Sequence, residues 1–155
     1  MFIVFPLVFK QGNIMLTQQS FDVLVVEDDQ LTFELLQRLA GQYFPEATFI
    51  SLASPTTTLA YLNSNPEKRP KLILLDIALC SDADGFILLQ ELRTHFNGQV
   101  PIIMLTNSEN QQHVWQSYAD GATAFTTKPS NLQDWKTYMD TLKSYWYEIN
   151  TLPAS

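Results

Sequence analysis

From Phe21 onward, apolar and polar positions alternate between two periods. Short apolar-rich runs occur at Val23–Val26, Ala47–Leu52, Leu72–Leu75, Ile102–Leu105 and Ala122–Thr126. Between them, apolar residues recur at helical spacing. The first such stretch carries Leu31, Leu35, Leu36 and Leu39. The second opens at Ser54-Pro55 and runs to about Leu62. The third carries Phe86, Leu88, Leu89 and Leu92, the fourth Val114, Trp115 and Tyr118, and the last runs from about Leu132 to Ile149. The punctuation agrees with this division. Gly41 and Pro45 end the first helix, Pro55 suits a first helical position, Gly121 ends the fourth helix, and Asn131 suits an N-cap. Leu72–Leu75 is entered from Pro70 and is apolar throughout, the pattern of a strand buried on both faces. Five strands alternating with five helices predict an α/β fold, a doubly wound five-stranded parallel sheet covered on both sides.

The 155 residues suffice for one domain with its own core. The opening MFIVFPLVFK is apolar but too short to span a bilayer, and it lacks a basic leader region and a small-residue cleavage site. Residues 1–18 are therefore expected to be a loosely attached tail, with translation beginning either at Met1 or at Met15. Residues 19–144 form the folded unit, and 145–155 are an aromatic C-terminal extension. In that extension Tyr145, Trp146 and Tyr147 either fold back as core or form an exposed patch for self-association. The net charge of −7 argues against nucleic-acid or anionic-membrane binding and suits a divalent cation. The single cysteine, Cys80, excludes an internal disulfide, fits a reducing cytoplasm, and has no basic sequence neighbour to activate it.

The polar groups with chemical potential fall at strand ends. Glu27, Asp28 and Asp29 follow the first strand, Asp76 the third, Thr106 the fourth and Lys128 the fifth. In a sheet of order 2-1-3-4-5 the first and third strands are neighbours, and the crevice lies outside their C-terminal edges. Asp28 and Asp76 would then share one pocket. Clustered carboxylates repel one another unless a cation neutralises them, and Mg²⁺, a hard oxygen-seeking ion, is the natural one. Asp76 can act as a carboxylate nucleophile toward a phosphoryl group. The Lys128 ammonium and the metal would stabilise charge on the phosphoryl oxygens, and the Thr106 hydroxyl can donate to one of them. No general base is required. His95 and His113 sit on predicted helices and read as surface residues.

These residues resemble the receiver domain of two-component response regulators over about Asp22 to Leu142. The matching features are the acidic pair in VVEDD, the Asp of ILLD, the Thr of MLT, an aromatic residue three positions before the lysine, and the dipeptide Lys128-Pro129. The resemblance implies a flavodoxin-like fold, phosphorylation on Asp76, and Mg²⁺ bound by Asp28, Asp76 and the backbone carbonyl of Ala78. Glu27 would hold a metal-bound water. Thr106 and Phe125 would be a switch pair, Lys128 would contact the phosphate, and Lys128-Pro129 would be a cis peptide. The partner implied is a sensor histidine kinase. The segment SYWYEINTLP, with Ser117-Tyr118 and Leu72–Asp76, is similar to the single-domain regulators that accompany cyanobacterial phytochromes. This adds a phytochrome-type kinase and a homodimer through the fourth helix, fifth strand, fifth helix and C-terminal extension. Two departures stand out. The loop IALCSDADG lacks the usual proline and is one residue longer, and Asp29 is a third acid that is either solvated or starts the next helix.

Other functions fit less well. An aspartyl-phosphate hydrolase would want a general acid two residues after the nucleophile, where Ala78 stands. A phosphorylation-independent scaffold would lose part of the acidic pocket or the lysine. A nucleotide-binding module would want a glycine-rich loop where VVEDDQ places acids. A DNA-binding regulator would need an additional basic domain.

Overall fold

The computed structural model describes residues 7–10, 13–16, 20–79 and 81–154. Two short strands, β1 (Leu7–Lys10) and β2 (Asn13–Leu16), pair antiparallel from Leu7↔Leu16 to Lys10↔Asn13. They fall within the segment expected to be a tail. Cys80 lies outside the described residues.

The remaining elements alternate. They are β3 (Phe21–Val26), α1 (Gln30–Tyr43), β4 (Ala47–Leu52), α2 (Pro55–Ser64), β5 (Leu72–Leu75), α3 (Asp82–His95), β6 (Ile102–Thr106), α4 (Gln111–Ala119), β7 (Ala124–Thr127) and α5 (Leu132–Leu142). The last helix continues as a π-helix over Lys143–Ile149. Strands β3 to β7 form one parallel sheet in the order β4-β3-β5-β6-β7, the 2-1-3-4-5 arrangement expected.

Strand residues point alternately to the two faces, so each strand feeds two cores. Val23, Val25, Leu72, Leu74, Ile103 and Leu105 face α1 and α5, where Phe44, Trp135, Met139 and Trp146 fill the space. Leu24, Val26, Ile73, Leu75, Ile102 and Met104 face the other way, toward Leu62, Phe86, Leu88, Leu89 and Leu92. The unbroken apolar run of β5 exists because both of its faces are covered.

Some expectations shift. Leu31 belongs to α1 but is 73% exposed; the buried stripe is Phe33, Leu36, Leu39 and Ala40. Helix α3 begins four residues before the first apolar residue read as helical, because Ser81 accepts the Asp84 N–H as N-cap and Asp82 and Asp84 favour the first turn. Gly85 lies inside that helix with ordinary φ, so its purpose is close approach rather than an unusual conformation. A Cβ there would stand 2.7 Å from the Ile77 Cα and closer still to the Ile77 carbonyl oxygen. The aromatic extension divides between the two readings. Trp146 is buried and the Tyr147 ring packs edge-on to Phe21 and against Phe44, whereas Tyr145 and Ile149 are exposed.

Candidate functional site

The backbone ladder runs one residue past the strands, and that extra rung carries the chemistry. Glu27 donates its N–H to the Leu52 carbonyl at 3.1 Å, Asp76 to Val26 at 3.0 Å, and Lys128 to Thr106 at 2.8 Å. Each side chain is therefore fixed by the sheet rather than by a free loop. Three strand ends deliver Glu27, Asp76 and Lys128 to one point. The Lys128 ammonium lies 2.6 Å from Glu27 Oε2 and 2.8 Å from Asp76 Oδ2. All three side chains are nearly buried, at 9%, 3% and 6% exposure for Lys128, Glu27 and Asp76.

The other carboxylate oxygens are satisfied locally. Asp76 Oδ1 accepts the Ala78 N–H at 3.1 Å, and Glu27 Oε1 accepts the Asp29 N–H at 3.0 Å. Burial pushes the Glu27 carboxyl above its ordinary range, against the pull of Lys128 and the Asp29 N–H. Burial also works against the Lys128 charge, but its hydrogen bonds to Asp76 and Glu27 together outweigh it and hold the ammonium above its usual range. The lysine is thus firmly charged, while two carboxylates compete for it.

Asp28 is exposed at the mouth, and one oxygen from each of Glu27, Asp28 and Asp76 lies within 4.8 Å of the others. Three carboxylates facing one ammonium leave two negative charges, which one divalent cation would balance. Hard oxygen donors beside an open, solvent-facing side suit Mg²⁺ or a similar ion that retains several waters. Asp29 takes the helix-starting role. It caps α1, accepting from the Leu31 N–H at 3.2 Å and from the Thr32 hydroxyl at 2.6 Å.

The remaining expected residues surround this centre. Thr106 is buried at the end of β6, and its Oγ1 accepts the Ser108 N–H at 3.3 Å. Phe125 is half-buried on β7 and packs on the α3-side core. Ala78 is exposed two residues after Asp76, with its N–H turned back onto that side chain. The cis peptide is a correction. The described residues contain no cis peptide bond, so Lys128-Pro129 is trans. For an X-Pro bond trans is the ground state by about 0.5–1 kcal/mol, and Lys128 reaches both carboxylates from it. Sequence reasoning also missed the Glu27–Lys128 pair, having turned Glu27 toward a metal water alone. It missed His113 as well, which is not a free surface residue. Its Nδ1 lies 2.7 Å from Ser108 Oγ and its Nε2 3.4 Å from Asp82 Oδ2. A lone helical histidine carries no signal that would have found this.

Residues 23–140 match the model of the response regulator receiver domain. The chain belongs to that family. The receiver domain here is 31% identical to response regulator Rcp1 of Synechocystis over 86% of this chain and 93% of that protein. It is 24% identical to the probable methanogenesis regulatory protein FilR2 of Methanothrix harundinacea, over 92% and 94%. Among solved structures, the phosphorylated cyanobacterial phytochrome response regulator RcpA superposes with a TM-score of 0.77 at 25% identity, covering 86% of this chain and 98% of that chain. The Mn²⁺-bound form of Rcp1 superposes with a TM-score of 0.75 at 30% identity, covering 86% and 99%. The receiver domain thus matches single-domain regulators over nearly their whole length.

Proposed function

We propose that this receiver domain is the phosphoacceptor of a two-component relay. Asp76 takes a phosphoryl group from a phosphohistidine on a sensor histidine kinase, in a step that depends on Mg²⁺. One observation carries the reading: a single buried ammonium, Lys128, bonds Glu27 and Asp76 at once, with the Asp28 carboxylate beside them.

The roles follow from the positions. Asp76 supplies the attacking carboxylate oxygen, so an O–P bond forms as the N–P bond of the donor breaks. Lys128 is placed to turn its charge toward the phosphoryl oxygens once Asp76 is phosphorylated. The Thr106 hydroxyl stands at the adjacent strand end to donate to one of them. Asp28, Asp76 and the Ala78 carbonyl would hold the metal, and Glu27 one of its waters. The bound ion would supply neutralisation of charge on the carboxylates and the phosphoryl group. Movement of Thr106 toward the phosphate would leave room for the Phe125 ring to turn, and the face of α4, β7 and α5 would change shape. Hydrolysis of the acyl phosphate resets the domain. Ala78 brings no general acid to the site, which favours this signalling role over that of an aspartyl-phosphate hydrolase. The likeness to Rcp1 and RcpA supports a phytochrome-type kinase as donor. Among the described residues no helix is long and apolar enough to cross a membrane, and we place the reaction in the cytoplasm.

Incubation with acetyl [³²P]phosphate tests the chemistry. Label is expected on the wild type with Mg²⁺, and only background label after chelation or in Asp76→Asn. Label that persists in Asp76→Asn overturns the assignment.

The same reading assigns self-association to the α4, β7 and α5 face. Trp115, Tyr118 and Tyr145 are exposed there, and an apolar hollow of about 270 Å³ opens between β7 and the last helix, lined by Ala124, Tyr138, Leu142 and Trp146. Sedimentation velocity with Mg²⁺ and beryllofluoride is expected to shift the protein to a faster species of dimer mass. One unchanged monomeric boundary would remove this part of the proposal.

A further inference from the structure

Helix α4 is poorly held by packing. It has nine residues, of which only Ser117 is buried, while Trp115 is 71% exposed and Tyr118 51%. An isolated helix of this length is unstable in water, so its placement depends on a few bonds to its neighbours. Those bonds lie at its two ends.

At the N-terminal end His113 bridges two other elements. Its Nε2 faces Asp82 in the first turn of α3 at 3.4 Å, and its Nδ1 meets Ser108 Oγ at 2.7 Å. The ring also packs edge-on to Phe86 of α3, with centroids 5.6 Å apart. If the ring N–H is on Nε2, facing Asp82, Nδ1 is free to accept the Ser108 hydroxyl, and one ring engages both partners. The Ser108 oxygen in turn accepts the N–H of Asn110, the N-cap of α4, at 3.3 Å. The Ser108 N–H donates to Thr106 Oγ1. Hydrogen bonds through Ser108 therefore join the Thr106 hydroxyl to the start of α4, and the His113–Asp82 contact carries the connection to α3. At the C-terminal end, the Tyr118 hydroxyl accepts the Phe125 N–H at 3.2 Å. Of the two expected switch residues, Phe125 reaches α4 through one bond, to Tyr118, and Thr106 reaches it through two, by way of Ser108.

We propose that His113 is a positioning residue that latches α4 in the arrangement of the unphosphorylated domain. By gripping Ser108 and Asp82 together, it resists the shift that Thr106 would impose on the loop once it turns to a phosphoryl oxygen. The latch belongs to the resting state and must open for α4 to move. This inference rests on the phosphoacceptor reading above and adds a second route from Thr106, independent of the Phe125 ring.

A latch made only in the resting state lowers the fraction of protein competent to bind a phosphoryl mimic, so removing it tightens apparent binding by that fraction. The test titrates beryllofluoride in excess Mg²⁺, followed by tryptophan fluorescence. His113→Phe keeps the ring against Phe86 and deletes the Ser108 hydrogen bond and the Asp82 contact; Ser108→Ala and Asp82→Leu each break the bridge from one side. Each is expected to bind beryllofluoride roughly three- to tenfold more tightly, the range one or two net hydrogen bonds set. Asp82→Asn keeps an oxygen acceptor and is expected to return near the wild-type value. His113→Phe and Ser108→Ala combined should gain no more than either alone. A merely structural role would lower the melting temperature and leave this affinity unmoved. Unchanged or weaker binding in all three latch variants, or full additivity, overturns the latch while leaving the phosphoacceptor reading intact. Failure of the wild type to bind beryllofluoride with Mg²⁺ overturns both.

Discussion

Lys128→Met is expected to lose about 3–5 kcal/mol of stability at neutral pH and, with it, phosphoryl acceptance. The ammonium is the only cation bonded to Glu27 and Asp76 among the described residues, and both carboxylates are nearly buried. Removing one partner of a buried pair leaves a charge that neither water nor protein compensates, and this costs far more than the pair itself contributes. Methionine fills the space of the lysine stem, which separates the charge effect from a cavity. The loss should depend on pH in a defined direction. Glu27 already sits above its ordinary range in the folded protein, and loss of Lys128 raises it further. Above the unfolded-state value the unfolded chain binds fewer protons than the folded one, so stability falls as pH rises toward neutrality. The deficit of the variant should therefore shrink on acidification toward pH 5. Added Mg²⁺ should restore more stability to Lys128→Met than to the wild type, because the variant site carries one more uncompensated negative charge. Urea midpoints at two pH values, with and without Mg²⁺, read all of this. Equal midpoints for variant and wild type at neutral pH would mean that the carboxylates do not rely on the lysine.

Gly85→Ala is expected to cost about 3 kcal/mol or more, although it lies inside a helix where alanine is the better former. The helix preference favours alanine by up to about 1 kcal/mol. The steric term opposes it and is larger. The new Cβ would meet the backbone of Ile77, 2.7 Å from its Cα and 2.8 Å from its carbonyl carbon. A flexible side chain could move aside, but backbone has to be displaced, and overpacking of this kind costs about 1–3 kcal/mol even where the neighbour is a side chain. Ile77 itself is fully buried and directly follows Asp76, so the displacement reaches the acceptor. Thermal melts should show a large fall in midpoint, and the surviving folded protein should bind Mg²⁺ more weakly. A wild-type melt would show that α3 and the Asp76 loop can separate freely.

Much of the domain was legible because the residues that matter obey simple periods. β5 reads as a doubly covered strand since all four residues are apolar and Asp76 then breaks the run. The convergence of Asp28, Asp76 and Lys128 follows once strand order places their ends together. What escaped depended on tertiary contact. Leu31 matches the helical period but lies off the buried stripe, which a chain without its partners cannot reveal. Gly85 closes the stretch IALCSDADG, which reads as a loop; only the approach of Ile77 explains it. The π-helical turns of Lys143–Ile149 have no recognised sequence signature, and a continuous helical pattern concealed them. His113 is one histidine on a helix until α3 is folded against it.

The core beneath α1 draws on both extremities of the folded unit. Phe21 begins the first strand of the large sheet, yet its ring packs on Tyr147, and Trp146 and Leu152 complete the same cluster. During synthesis this side of the sheet stays open until Trp146, Tyr147 and Leu152 have been made. Among the described residues the opposite side draws on none beyond Phe125 and can close sooner. A nascent chain should therefore pass through a half-finished state with one greasy surface bare, the kind of species that chaperones recognise. Premature termination just after α5 would make that state permanent, and such fragments are expected to aggregate rather than to signal weakly.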